Sequence, residues 1–194
     1  MIKTEMNQLK DKISLPLQTR FATLETQADI KPSDDAAVFN VVFSTGATVR
    51  RCDVFNDCYY DEQLVIDPSS IRLERLNSGA PVLDTHEDAS LANVIGVVIP
   101  GSVVIDAGIA RASIKLDTGA ENQSTIRKIR DGIIRNVSVG YVVHKFEVIN
   151  TDDNSIPLYR ATDWEPYEIS LVPIGADSGA GIRSSPNTYP CMIV

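Results

Sequence analysis

Histidine is nearly missing from this chain, with two among 194 residues. Cysteine is scarce as well: Cys52, Cys58 and Cys191 form an odd set with no Cys-x-x-Cys spacing. A structural zinc site wants four closely paired Cys or His ligands, so no metal is expected, and no cofactor either. Long apolar runs are also lacking. Residues 38–43 make one of the longest and still contain Asn40, far short of the ~20 apolar residues a membrane helix needs. No apolar stretch follows the opening Met1-Ile2-Lys3-Thr4-Glu5, which leads to an expectation of no secretory leader and a cytoplasmic location. Basic residues are outnumbered, 18 Lys and Arg against 26 Asp and Glu, for a net charge of −8. Nucleic-acid binders normally carry a basic footprint. Here only Arg127, Lys128, Arg130 and Arg135 cluster, which reads as a solvated helix face. Neither nucleic acid nor membrane is an expected partner.

What is present suits one soluble globular domain: 43% hydrophobic and 23% charged residues in a chain long enough to bury a substantial core. Residues 1–36 are polar, lack a sustained period and read as a flexible N-terminal arm, either a plain tail or a removable propeptide. The main domain is expected over 37–183, with 184–194 a C-terminal tail or the start of a linker. Residues 38–43 read as a strand, followed by a Ser44-Thr45-Gly46-Ala47 turn and a return strand. Ser70 reads as the cap of a short helix closed by Asn77-Ser78-Gly79. Further strands are expected at 94–99, 103–106 and 109–116. In the last, Ala110, Ala112, Ile114 and Leu116 share one face, the mark of a half-buried antiparallel strand. Thr118 and Glu121 read as a capping box for a helix carrying Ile126, Ile129 and Ile133, closed by Gly132. Strands at 136–148, 156–159 and 167–173 complete a mainly β protein of the α+β kind with two or three helices. Barrel closure would protect its edges.

Chemistry concentrates in three segments. In Asn136-Val137-Ser138-Val139-Gly140-Tyr141, Ser138 and Gly140 share a strand face, and glycine inside a strand often marks a close approach by another group. Ser138 is either a nucleophile or a serine hydrogen-bonded at a sheet edge. A serine hydroxyl needs a base, usually histidine. His144 lies on the same face but six residues along, about 20 Å away at ~3.3 Å per residue. His86, among Asp84, Glu87 and Asp88, is the remaining base, or else a solvated loop residue. For a third, orienting member, Glu168 stands on an apolar strand beside Ile169 and Leu171, where a carboxylate is expensive unless paired. It ranks ahead of Asp163, Glu165 and Asp84. The alternative is a surface strand residue.

The segments Arg75-Leu76-Asn77-Ser78-Gly79-Ala80-Pro81-Val82-Leu83-Asp84-Thr85-His86, Asp131-Gly132-Ile133-Ile134-Arg135-Asn136-Val137-Ser138-Val139-Gly140-Tyr141 and Trp164-Glu165-Pro166-Tyr167-Glu168-Ile169-Ser170-Leu171-Val172-Pro173, in that order, resemble the prohead protease family of tailed phages. The flank Val42-Phe43-Ser44-Thr45-Gly46-Ala47 with Arg50-Arg51 resembles the subset in which the protease heads a polyprotein fused to the major capsid protein. The resemblance implies a herpesvirus-protease-like fold, a small antiparallel β-barrel ringed by helices. It implies a serine endopeptidase that cleaves scaffold and capsid-protein N-terminal segments inside the assembling prohead of a bacteriophage or prophage, with self-cleavage. Ser138 is then nucleophile, His86 base and Glu168 third member, although the herpesvirus relatives use a second histidine there. A homodimer is implied by the herpesvirus analogy alone. Arg160 and Arg183 are unassigned candidates for helping an oxyanion hole. The competing reading is a catalytically silent capsid-assembly or scaffold module on the same fold. An unrelated esterase is disfavoured because no Gly-x-Ser-x-Gly elbow surrounds Ser138.

Overall fold

The computed structural model describes residues 12–16, 18–25, 37–53, 58–149, 156–173 and 188–193. The described elements are β1 (Lys12–Pro16), β2 (Gln18–Glu25), β3 (Ala37–Ser44), β4 (Val49–Asp53), β5 (Cys58–Leu64), α1 (Glu74–Asn77), β6 (Pro81–Asp84), β7 (Val94–Val98), β8 (Val104–Asp106), β9 (Ile109–Leu116), α2 (Gln123–Arg130), β10 (Asn136–Ile149), β11 (Leu158–Val172) and β12 (Thr188–Ile193). A 3₁₀ turn covers Leu91–Asn93. The protein is thus mainly β with few helices. Among the described residues no helix is long and apolar enough to cross a membrane.

Hydrogen-bonded neighbours run in the order β1-β12-β10-β2-β3-β9-β7-β6-β11-β5-β4, with β8 on β9 and a further pairing between β10 and β11. The sheet is mainly antiparallel, as expected, but it is mixed. β11 runs parallel to both β5 and β6, and β10 runs parallel to β12. The reason is that β11 is long. One continuous strand replaces the two expected at 156–159 and 167–173, so its near end serves β5 while its far end serves β6.

The expected alternation in β9 is present, with Ala110, Ala112, Ile114 and Leu116 all buried. β3 matches it from the next position through Ala37, Phe39, Val41 and Phe43. From Val137 to Val143 β10 is buried on both faces, so the core continues on either side of it. Ile126 and Ile129 of α2, together with Trp164, join the same apolar cluster.

Several local expectations are corrected. β4 does not return along β3 but pairs with β5, because both edges of β3 are already taken by β2 and by the better-patterned β9. The helix expected from Ser70 begins only at Glu74, and Ser70 caps nothing. Ile71 instead forms a bridge with Trp164, and the backbone groups of Ser70 and Arg72 bond those of Trp164. Thr118 and Glu121 do not cap α2, which starts after Asn122, and Ile133 lies beyond the helix and is exposed. Within residues 1–36, expected as an arm, β1 and β2 are strands of the sheet, and β12 occupies most of the 184–194 segment.

One polar knot sits inside the apolar body. Glu62 on β5 is fully buried and receives Arg20 at 3.0 Å, Arg51 at 3.4 Å and the Tyr141 hydroxyl. Burial opposes the charge on Arg51, but Tyr141 and Glu62 outweigh it and hold its pKa above the ordinary arginine value. Burial, then the Glu62 carboxylate, push the Tyr141 phenol above its usual value. The knot ties β2, β4, β5 and β10 together, and a buried charge left without its partner is strongly destabilising. Glu62→Ala should therefore lower stability by about 3–5 kcal/mol. A urea unfolding midpoint equal to that of the parent protein would show that the knot does not hold these strands.

Candidate active site

β10 and β11 run antiparallel in a register that pairs Ser138 with Ser170 and Gly140 with Glu168. β6 lies on the other side of β11, with Leu83 opposite Ser170 and Asp84 opposite Leu171. His86 follows β6 by two residues, so the chain emerges beside the two facing strands. Three distant segments meet here. His86 Nε2 is 2.6 Å from Ser138 Oγ, and His86 Nδ1 is 2.6 Å from Glu168 Oε1. Ser138 and Glu168 are buried, and the His86 side chain keeps 16% exposure.

The turn that delivers His86 is unusual. Thr85 and His86 both have positive φ, 50° and 62°, and the Glu87 N–H donates to the Asp84 carbonyl, the pattern of a type I′ turn. Such turns favour Asn and Gly. Thr and His there cost on the order of 1–2 kcal/mol each and persist only when held from outside. The holding groups are visible: Thr85 N–H donates to Leu171 O at 3.0 Å, and His86 N–H donates to Ser170 Oγ at 3.1 Å.

Protonation roles follow from the partners. An ionised carboxylate only accepts, so Nδ1 carries the proton toward Glu168 and Nε2 of the neutral ring is left to accept from Ser138. Ser170 Oγ donates to Glu168 Oε2 at 2.6 Å, so each oxygen of the carboxylate receives one donor. Ser138 Oγ has a second acceptor, the Arg20 carbonyl on β2 at 3.1 Å. Gly140 explains how Glu168 fits: a Cβ at that position would lie 2.2 Å from Glu168 Oε1.

Residues 72–191 match the family described as caudovirus prohead serine protease. This chain belongs to that family. It is thereby a member of a phage serine-protease family, and the Ser138–His86–Glu168 arrangement lies wholly inside the matched span. The chain is also 35% identical over 123 residues, 62% of its length, to the major capsid protein of Halomonas phage phiHAP-1. It spans 20% of that relative's length. No solved structure matches it.

Other groups considered from the sequence lie elsewhere. His144 faces Glu165 at 3.4 Å. Asp163 and Glu165 accept from Arg72 and Arg75. Arg160 pairs with Glu147 at 3.3 Å and sits eight residues from Glu168 on β11, about 26 Å along an extended strand. Arg183 lies outside the described residues. Burial pushes the Cys191 thiol up to about 11, so it stays protonated near neutrality and is a poor rival nucleophile. Ser170 was not a candidate from the sequence. Its shared face with Glu168 was legible, but its bond to the His86 backbone arises only from the β6–β11 pairing.

Gly140→Ala should push the Glu168 carboxylate off Nδ1 and lower peptidase kcat by about 10²-fold. In a Glu168→Ala background the same change should be nearly neutral, since the obstructed group is gone. Additive losses in that double-mutant cycle would show that Gly140 acts elsewhere.

Proposed function

We propose that this chain is the endopeptidase of phage prohead maturation and that Ser138, His86 and Glu168 form its catalytic triad. The carrying observation is the unbroken chain of contacts from Ser138 Oγ through the imidazole to Glu168, each 2.6 Å long. In the reaction His86 Nε2 takes the Ser138 proton as Oγ attacks the scissile carbonyl, and Glu168 stabilises the imidazolium that forms. The tetrahedral intermediate collapses as His86 returns the proton to the departing amine, leaving an acyl-serine ester. A water molecule, deprotonated by the same imidazole, then hydrolyses the ester and frees Ser138.

The substrates are the scaffold and the N-terminal segment of the capsid protein, cleaved inside the assembling prohead in the host cytoplasm, with eventual self-cleavage. Family membership supports the setting, and similarity to part of a protein named major capsid protein supports a protease fused to its capsid substrate. The finer fold reading belongs with this: a small barrel like that of herpesvirus assembly proteases. It is supported by pairings that run β10-β2-β3-β9-β7-β6-β11 and return from β11 to β10.

Incubation of the purified protein with its capsid precursor should yield discrete N-terminal cleavage, followed by gel and mass spectrometry. Ser138→Ala should abolish it without loss of fold. Glu168→Gln should lower kcat by about 10⁴-fold, the size of effect seen when a triad carboxylate is replaced by its amide. Undiminished cleavage by Ser138→Ala would transfer the nucleophile elsewhere. A well-folded parent protein inert toward its precursor within assembled proheads would favour the silent assembly module.

A further inference from the structure

We infer that Ser170 is a positioning residue, whose hydroxyl locks both the carboxylate and the histidine turn of the triad. The inference rests on the triad reading above. Ser170 Oγ makes two directed contacts: it accepts the His86 backbone N–H at 3.1 Å and donates to Glu168 Oε2 at 2.6 Å. The directions are fixed by chemistry, since a backbone N–H only donates and a carboxylate only accepts. The hydroxyl proton is therefore committed to Glu168.

The placement is equally constrained. Ser170 is wholly buried, directly opposite Ser138 on β10 and opposite Leu83 on β6. It is the middle of three β11 positions, Ile169, Ser170 and Leu171, that pair with both β10 and β6, and the one of the three that carries a hydroxyl. Its bond to His86 N–H also holds the second of the two consecutive left-handed residues of the Thr85–His86 turn. Without the hydroxyl, that N–H and Glu168 Oε2 each lose a hydrogen-bond partner, and a buried donor left unmade is expensive. The imidazole would then be free to turn away, and Glu168 to rotate off Nδ1. Ser170 touches no reacting atom, so it acts through these two groups.

The test compares Ser170→Ala, Ser170→Thr and Ser170→Val in precursor cleavage, with near-UV circular dichroism and thermal unfolding as folding controls. Thr and Val have nearly the same shape and differ in the hydroxyl. Ser170→Ala and Ser170→Val should lower kcat by 10- to 100-fold with KM within about twofold of the parent value, and Ser170→Thr should recover most of that loss. In the proton NMR spectrum the low-field His86 Nδ1–H resonance should move or broaden in the Ala variant and not in Thr. Unchanged kcat in Ser170→Ala, equal loss in Thr and Val, or a loss that only tracks the folded fraction would each overturn the inference. Ser138→Ala is run alongside: if it still cleaves, the triad reading itself has failed, whereas an inert Ser138→Ala beside a fully active Ser170→Ala removes the role of Ser170 alone.

Discussion

The antiparallel register of β10 on β11 is the constraint on which the site depends. It sets Ser138 against Ser170 and Gly140 against Glu168, so the Ser138 hydroxyl and the Glu168 carboxylate face the same side at a fixed offset. A slip of one residue would turn each of these side chains to the opposite face. Burial of both faces of β10 makes such a slip costly, because Val137, Val139 and Tyr141 would lose their places in the core. The apolar packing thus secures the polar geometry. The parallel β6 then adds the histidine, and its own register is checked by Thr85 and His86 bonding to β11 beyond the strand end.

The buried charges divide into two groups with different tasks. Around Glu62, two arginines and a phenol join β2, β4, β5 and β10, which is a structural use of charge. Around Glu168 the partners are an imidazole and a hydroxyl. In the proposed triad that carboxylate is the group that stabilises the imidazolium during turnover. A guanidinium beside Glu168 would already have neutralised it. The two networks touch at one point, for Arg20 contributes its side chain to the first and its backbone carbonyl to Ser138.

Much of the site could be read from the sequence, and for identifiable reasons. The period of two placed Ser138 beside Gly140 and Glu168 beside Ser170, and simple strand length removed His144. The apolar alternation of 109–116 located β9 within its true bounds. Long-range pairing was not legible. That β4 would leave β3 for β5, that residues 18–25 would enter the sheet, or that Ile71 would bridge to Trp164 depends on competition among edges that local pattern does not encode. The left-handed turn at Thr85 and His86 was hidden for a related reason. Its residue types argue against it, and the groups that tie its backbone to β11 lie 84 or more residues away in sequence.

The void at Gly140 has an evolutionary reading. Since the missing side chain is the space the Glu168 carboxylate fills, the two positions form a lock and its keyhole, spelled Ser-x-Gly on one strand and Glu-x-Ser on its neighbour. On the proposed triad, a descendant where the keyhole has been filled while the acid remains would hydrolyse poorly, even with serine and histidine intact. Inspecting two short words of text would then separate working copies from decayed prophage relics.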